Sequence, residues 1–441
     1  MTIAIEQEKG KVLKVRNAFG PLFLILACPP CSLLLWYTYA HLNGSLTTLL
    51  TLFKQEGLVT TLSNIWAPLF WGSFAAWKAL GIFAFFQLLF MKILPGKPFK
   101  GPVTPMGNIP VYKANGFLSF VTTISLYSLS TFYFQLFSPT FIYDHLGEII
   151  GALNLFSLGF CFFLYFKGRF FPSSSDASYS KNFLFDFYWG TELYPRVLNW
   201  DLKKFTNCRF GMMSWGLILL SCAAKQNELY GLTNTMLVSC ALQLLYISKF
   251  FLWETGYLRS LDIMHDRAGF YICWGCLVWV PAVYTSVGQY LVHHPYNLST
   301  LAALGLTLFG AAFILMNFWA DFQRQKVRAL NGNCKIWGKT PKLTHATYFT
   351  EQGEKKSAIL LASGFWGIAR HFHYVPELLG TLFWTLPALF SNFLPYFYFF
   401  FLILLLGDRA FRDDLRCKKK YGEDWEKHCE KVPYKIVPYV L

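Results

Sequence analysis

Apolar stretches of membrane-spanning length recur along almost the whole chain of 441 residues. A helix needs about 20 apolar residues to cross the hydrocarbon core of a bilayer. We place about ten such stretches by this length criterion, centred near Leu24, Ala76, Ile124, Leu155, Leu217, Leu244, Val278, Leu308, Thr385 and Phe400. With 54% hydrophobic and 14% charged residues, the composition excludes an ordinary soluble domain. The sequence predicts an all-α, polytopic helical membrane bundle.

The chain offers no boundary between separately folded parts, so we expect one membrane-embedded domain over residues 1–441. Its N-terminal helices fill residues 1–230, where polar groups within the spans are few. Residues 231–441 carry ionisable side chains next to or inside the spans, and such groups are expensive in lipid and usually functional. The second half is therefore expected to hold the functional site.

Basic charge alternates along the loops and gives a net charge of +15. Lysines and arginines crowd the N-terminal arm (Lys9, Lys11, Lys14, Arg16), residues 92–100, 167–209, 249–267 and 324–370, and the tail from Arg409. The connections near Asp144, Tyr296 and Asn392 have almost none. By the positive-inside rule both termini are cytoplasmic and the number of spans is even. Topology and anionic membrane lipid account for much of this charge, and no nucleic-acid partner is expected.

Metal and disulfide chemistry are not predicted. The eleven cysteines are scattered, several of them within predicted spans, which favours a reduced state. Cys28 and Cys31 have redox spacing but lie inside the first span, and His293 and His294 have no cysteine or acidic companions at metal-ligand spacing.

The end of the chain carries the clearest sign of a ligand. The apolar run 393–406 breaks into Arg409, Arg412, Asp413, Asp414, Arg416 and Lys418 to Lys420. Upstream, Arg324 and Arg328 share one helical face, on which two guanidiniums can grip a phosphate. Between them, Trp366, Arg370, His371, His373 and Tyr374 mix flat rings with hydrogen-bond donors. We expect a pocket for a phosphorylated cofactor, and therefore an enzyme. No GxGxxG or P-loop motif occurs, which excludes a Rossmann domain.

Ionisable and aromatic residues between 242 and 284 suggest a cavity within the membrane. Tyr246 and Lys249 share a helical face, and Asp262 and Asp266 lie four residues apart. Interfacial anchors and helix-orienting charge pairs are the alternative interpretation of the same residues.

Several segments resemble the sterol reductases, a family that includes sterol delta-7 and delta-14 reductases and the lamin B receptor. NFLFDFYWGTELYPR at 182–196 resembles one family signature, and RAFRDDLRCKKKYGEDWEKH at 409–428 resembles the second. Residues 254–275 and 360–380 also match, so the resemblance runs from about Gly101 onward. Phe372, where delta-14 reductases have proline, resembles the 7-dehydrocholesterol reductase branch. Three positions depart from the family pattern: Cys276, His373 and His428.

The resemblance implies NADPH-dependent reduction of the C7–C8 double bond of a 7-dehydrosterol, by protonation of the diene and hydride transfer. Residues carried over as NADPH contacts are Arg324, Arg328, Leu361, Trp366, His373, Tyr374, Arg412, Asp413, Cys417 and Tyr421. To these we add Arg370, from its charge, and Lys418, Lys419, Lys420 and His428 from the same tail. Tyr246 is expected to be the acid, acting with Asp413, which Arg412 would hold. Tyr246, Glu254, Trp279 and Tyr284 are expected to bind the sterol.

Three other functions fit parts of the pattern. Delta-14 sterol reduction would use the same scaffold, and so would a non-catalytic sterol receptor in which Cys276 and His428 mark lost activity. Isoprenylcysteine methyltransferases share an Arg-His-x-x-Tyr motif but are much shorter and lack the first signature. The expected location is the endoplasmic reticulum membrane in a eukaryote and the inner membrane in a bacterium.

Overall fold

A computed structural model describes residues 2–180, 182–351 and 353–440, with side chains from Phe19 onward. The basic arm of Lys9, Lys11, Lys14 and Arg16 lies outside the described side chains. The α-helices, numbered in chain order, are α1 Thr2–His41, α2 Leu46–Glu56, α3 Leu58–Trp66, α4 Phe74–Ile93, α5 Gly116–Ser128, α6 Phe141–Asp144, α7 Leu146–Phe170, α8 Phe183–Trp189, α9 Leu202–Lys204, α10 Met212–Tyr230, α11 Asn234–Leu252, α12 Glu254–Tyr257, α13 Leu261–Met264, α14 Ser286–Val292, α15 Thr300–Ala329, α16 Phe365–Ile368, α17 Tyr374–Thr385, α18 Phe397–Tyr421 and α19 Glu423–Lys431.

Wider and tighter helical turns extend some of these elements. Leu129–Tyr133, Phe205–Gly211 and Phe270–Tyr284 are π-helical, and Leu386–Ala388 and Leu394–Tyr396 are 3₁₀-helical. The strands form three antiparallel two-stranded ribbons: β1 Lys97–Lys100 with β2 Val111–Ala114, β3 Arg196–Val197 with β4 Trp200–Asp201, and β5 Leu343–Phe349 with β6 Lys355–Leu361.

The predicted polytopic helical architecture is confirmed. All ten predicted span centres lie in helical segments. Within the described residues, seven stretches are long and apolar enough to cross a membrane: Phe19–His41, Phe74–Ile93, Leu146–Phe170, Asn234–Leu252, Phe270–Val292, Thr300–Ala329 and Leu394–Tyr421. The helices around Ile124, Leu217 and Thr385 do not meet that criterion. Helices α5 and α17 are short, with 13 and 12 residues, and α10 carries the polar run 225–228 near its C-terminal end.

The chain divides into two compact units. The first comprises residues up to Pro102, Pro110–Leu232 and Leu258–Pro295, and the second comprises Val103–Ile109, Thr233–Tyr257 and residues from Tyr296 onward.

In the first unit, α7 packs closely against the π-helical segment Phe270–Tyr284 and α1. Asn154 connects all three, because its Nδ2 donates to Ser32 Oγ at 3.0 Å and its Oδ1 accepts from Trp274 Nε1 at 2.9 Å. Gly151 permits the close approach of the chain at Leu69, whose carbonyl oxygen would lie 1.8 Å from any added Cβ. Hydrogen bonds of one buried asparagine thus connect three helical segments within the apolar core of the first unit.

The first signature, 182–196, is a structural element of the same unit. The Ser180 amide shares its N–H between the two carboxylate oxygens of Asp186, at 2.8 and 3.0 Å, and Glu192 accepts from Lys167 Nζ at 2.8 Å. Gly190 has φ of 95°, and a Cβ there would lie 2.4 Å from the carbonyl carbon of Ala268. These contacts hold the loops of the signature together.

In the second unit, α15 packs along α17 and α11, and the β5–β6 hairpin packs against α18 and α19. Two small apolar clusters fix the hairpin. Leu361 lies in one, with Val327, Ile336 and Trp366. Cys417 lies in the other, with Ala346, Leu360 and Trp425. The tail and the end of α15 thus both pack against the β5–β6 hairpin.

Candidate active site

The segment after β6 places the indole of Trp366 against the C-terminal part of α15. Gly364 has φ of 64°, and a Cβ there would lie 2.3 Å from Gln323 Oε1, which instead accepts from the Phe365 amide at 3.1 Å. This tight turn starts α16 and directs Trp366 inward, where its Nε1 donates to the Ala320 carbonyl at 2.7 Å. The indole is 5% exposed and so has a fixed orientation.

A group of flat rings extends from that indole. Trp366 and His373 have ring centroids 4.8 Å apart, and His371 and Tyr374 are stacked at 5.3 Å with a 9° angle between their planes. The Arg324 guanidinium carbon lies 4.1 Å from the Trp366 ring centroid, a cation–π contact. A partly exposed cation next to stacked rings provides complementary sites for a phosphate and an aromatic base.

Both histidines of this group are held neutral. Burial lowers the pKa of His371 to about 4; Asp413 and Asp414 oppose this shift, and Arg324 and Arg370 add to it. Burial and the charge of Arg324 also lower the pKa of His373. Among the described residues, neither His371 Nε2 nor His373 Nδ1 has a hydrogen-bond partner. Such orphaned nitrogens are uncommon in a folded chain and are suited to hydrogen bonding with a ligand.

Asp413 is held by Arg416, whereas the sequence predicted that Arg412 would hold it. Arg416 donates to Asp413 Oδ1 from Nε at 2.9 Å and from Nη2 at 2.5 Å. The other carboxylate oxygen lies 3.9 Å from His371 Nε2. Arg412 donates to Asp408 at 2.7 Å, one helical turn earlier. Residues three and four apart on a helix face one another, whereas adjacent residues do not.

The remaining tail residues are divided between the hairpin and solvent. Lys420 Nζ lies 3.8 Å from the Tyr348 ring centroid and 5.3 Å from that of Tyr421. Arg328 Nε donates to the Ile359 carbonyl at 3.4 Å. Lys419 is exposed, and Lys418 is exposed and paired with Glu426 at 3.1 Å. Arg328, Lys420 and Tyr421 thus lie near the same hairpin.

Arg370 holds the end of the chain in place. Its Nη1 donates to the carbonyls of Val432 and Pro433 at 2.6 and 2.9 Å, and its Nη2 lies 3.4 Å from Asp414. The Arg370 amide donates to the Tyr434 carbonyl at 2.9 Å. The structure thus gives Arg370 a role in fixing the segment 432–435 against the ring-bearing loop.

His428 is buried behind the hairpin. Its Nδ1 lies 3.4 Å from Thr344 Oγ1, and its ring packs against Trp425 at 5.3 Å. Burial, with Arg370 and Lys431 nearby, lowers the pKa of His428 to about 4.

Tyr246 belongs to a polar network between three helices. Its hydroxyl donates to Glu377 Oε1 on α17 at 2.5 Å. Lys249 Nζ lies 3.9 Å from Glu377 Oε2 and 4.6 Å from the Tyr246 ring centroid, and it donates to Asn317 Oδ1 at 2.5 Å. Asn317 Nδ2 donates in turn to the His373 carbonyl at 2.8 Å. The predicted shared face of Tyr246 and Lys249 is confirmed.

The other predicted sterol contacts lie in different places. Glu254 is 2% exposed and opens α12 in the second unit. Trp279 and Tyr284 belong to the first unit, where Trp279 packs against Trp274 at 6.0 Å and Tyr284 against Trp215 at 5.3 Å. The described residues contain no group of three histidine, cysteine or acidic side chains that could hold a metal ion.

Sequence reasoning missed Glu377, Asn317 and the pairing role of Arg416. A signal for Glu377 was present, because a lysine inside an apolar helix requires an anionic or polar partner. Glu377 is a carboxylate in the first turn of the largely apolar helix α17. The Arg416 pairing follows from its three-residue spacing.

Comparisons with known proteins cover nearly the whole chain. The model of the Ergosterol biosynthesis ERG4/ERG24 family matches residues 14–441. A 7-dehydrocholesterol reductase of Arabidopsis thaliana is 51% identical over 419 residues, 95% of this chain and 96% of that protein. One of Xenopus laevis is 39% identical over 393 residues, 86% and 83%.

A Delta(14)-sterol reductase of Methylotuvimicrobium alcaliphilum is 35% identical over 429 residues, 96% of this chain and 95% of that protein. The resemblance to sterol reductases seen in the sequence is therefore confirmed. The chain belongs to the ergosterol biosynthesis ERG4/ERG24 family of sterol reductases.

Proposed function

We propose that this protein is a membrane-embedded oxidoreductase that reduces the C7–C8 double bond of a 7-dehydrosterol with NADPH. The observation that carries the proposal is 51% identity, over nearly the full length of both chains, to a 7-dehydrocholesterol reductase. The delta-14 reductase relative is 35% identical over a similar span. Phe372 in the central motif supports the same branch.

The second unit offers groups that fit NADPH. Arg324 is stacked on Trp366, and His371 and His373 carry buried nitrogens without hydrogen-bond partners among the described residues. Neutral imidazoles can donate to or accept from an amide or phosphate. Arg328, Lys420 and Tyr421 would add charge and a ring from the hairpin side. We retain Leu361, Tyr374, Arg412, Cys417, Lys418, Lys419 and His428 in the proposed cofactor set, and Arg370 as the residue that frames it.

When bound, NADPH supplies the hydride. An isolated carbon–carbon double bond does not accept hydride, so this chain has to make the bond electrophilic by protonating it. In a conjugated 5,7-diene, protonation gives an allylic cation. We assign the proton donor to Tyr246, whose hydroxyl belongs to the partly buried network between α11, α15 and α17. Aromatic ring faces stabilise a cation and exclude water, which would otherwise capture it.

Asp413 is proposed to orient the cofactor side of the site. Its carboxylate is fixed by Arg416 and lies close to His371. Removing that negative charge would leave Arg416 without its partner and disturb the ring group. Tyr246, Glu254, Trp279 and Tyr284 remain the proposed sterol contacts.

We propose that residues 1–441 act as one functional domain in a membrane, with both termini on the cytoplasmic side. The membrane would be the endoplasmic reticulum in a eukaryote and the inner membrane in a bacterium. The alternation of basic loops supports this orientation.

Expression in a sterol-producing host that lacks both reductase activities tests the proposal. Each diene is supplied separately, and the sterols are profiled while the ultraviolet absorbance of the 5,7-diene is followed. Selective loss of the 7-dehydrosterol is expected. Consumption of the delta-14 diene alone would reassign the protein to that reaction. Consumption of neither diene, together with no detectable NADPH binding, would favour the alternative of a non-catalytic sterol receptor.

A further inference from the structure

A carboxylate lies directly behind the phenol of Tyr246, and the reaction proposed above does not use it. Glu377 Oε1 accepts the tyrosine hydroxyl at 2.5 Å, at the short end of the range for hydrogen bonds between oxygens. The Glu377 side chain is 14% exposed, as is that of Lys249, 3.9 Å away. A partly buried carboxylate that is hydrogen-bonded to the proposed proton donor can exchange a proton with it directly.

A phenol alone is a weak proton donor. Its reference pKa is about 10, whereas that of a glutamic acid side chain is about 4.3. In the arrangement seen here the tyrosine proton is directed at Glu377, so it is not directed at a substrate. If the pair takes up one proton, the carboxylic acid donates to the tyrosine oxygen, and the tyrosine O–H becomes free to turn toward a double bond.

We propose that Glu377 is the positioning and proton-supplying residue for Tyr246, an inference that rests on the proposed sterol reduction. The Tyr246 O–H bond breaks as the C–H bond on the sterol forms, and the Glu377 O–H bond breaks as the tyrosine O–H re-forms. The resulting allylic cation takes the hydride from NADPH, which becomes NADP⁺. Glu377 is left as a carboxylate and is reprotonated from solvent. One diene, one NADPH and one proton give the reduced sterol and NADP⁺.

The surrounding groups suit this task. Within the described part of the chain, Tyr246 and Lys249 are the titratable groups that contact Glu377. Helix α15 contributes the neutral Asn317, which holds Lys249 and is itself tied to the His373 carbonyl. The network therefore fixes the carboxylate behind the phenol and connects it to the loop that carries the proposed cofactor contacts.

Glu377→Gln is the informative variant. The amide oxygen still accepts from Tyr246, but the side chain cannot supply a proton. We expect kcat for the 7-dehydrosterol to fall at least about 100-fold, the usual contribution of a general acid, with unchanged KM values for sterol and NADPH. Wild-type kcat should decline with rising pH, because the relay needs the carboxylic acid form of Glu377, and this decline should be absent in the variant. Glu377→Asp should recover part of kcat, and Glu354→Gln, at an exposed hairpin glutamate, should behave as wild type.

A measurement on the unmodified protein keeps the proposal testable if the variants do not fold. Wild-type kcat is measured in mixtures of H₂O and D₂O. Two protons moving together give a curved dependence on the deuterium fraction, and a straight line would overturn the relay. Glu377→Gln with wild-type kcat and pH profile would also overturn it. A wild-type protein that reduces no sterol contradicts the proposed function instead.

Discussion

Replacing Arg324 with methionine should weaken the preference for NADPH over NADH about 10-fold. Methionine keeps an unbranched side chain on α15 but removes the guanidinium that lies 4.1 Å from the Trp366 ring. Hydrogen bonds to charged groups contribute about 1.5–3 kcal/mol, which corresponds to roughly 10–150-fold in affinity. Because the Arg324 side chain is 35% exposed, solvent screens part of its interaction with a phosphate. We therefore expect a loss near the lower end, about 10-fold.

The assay is steady-state reduction of the 7-dehydrosterol by detergent-solubilised protein, with NADPH and NADH titrated separately. The KM for NADPH should rise about 10-fold on the estimate above, while the KM for NADH and both kcat values change little. Lys326→Met is the matched control, because it removes an exposed positive charge from the same helix. An unchanged NADPH preference in the Arg324 variant would refute the assignment of this guanidinium to the cofactor phosphate.

Three further predictions follow from the same unit and from the first signature. Asp413→Ala should eliminate detectable product while the protein remains folded; full activity would show that the carboxylate does not orient the site. The unfolded chain binds protons at His371 and His428 near pH 6.5 and the folded protein only near pH 4. Each histidine therefore lowers the free energy of unfolding by up to roughly 3 kcal/mol as the pH falls through this window. A melting temperature that stays constant from pH 7 to about 4.5 would contradict the assignment of these histidines as buried and neutral. Gly190→Ala should destabilise the protein severely, because its Cβ would collide with Ala268; wild-type thermal stability would show that the loop can shift.

The helical architecture could be predicted because long apolar runs leave a bilayer-spanning chain few alternatives. The number of spans was harder to predict than the helical class. The apolar runs around Ile124 and Thr385 contain helices of only 13 and 12 residues. Hydropathy in the sequence does not reveal where a helix will turn π-helical or stop.

Site residues were predictable as groups but not as pairs. Spacing on one helix indicates which side chains share a face, and it connects Tyr246 with Lys249 correctly. It gives no information about Glu377, which is 131 positions away and reaches the phenol only through packing of α11 against α17. Adjacency was misleading at Asp413, because neighbours on a helix point apart while Arg416 points back.

The charge of Arg370 does not by itself distinguish a side chain that binds a cofactor from one that holds the backbone in place. Its sequence position among rings and histidines favours a cofactor contact. In the folded chain its guanidinium is enclosed by the carbonyls of Val432 and Pro433 and by Asp414. A cation that satisfies backbone oxygens and one that satisfies a phosphate have the same sequence signature.

The contacts between Arg370 and the segment 432–435 predict the effect of a truncating mutation. Residues 432–435 are translated after every side chain assigned to the candidate site, yet the Arg370 and His371 amides donate to the carbonyls of Tyr434 and Lys435. A stop codon directly after Lys431 would therefore encode the complete set of site residues without the segment that holds their loop. Such an allele should be null even though it deletes no proposed contact with sterol or NADPH. Affinity tags for purification are better placed away from this end of the chain.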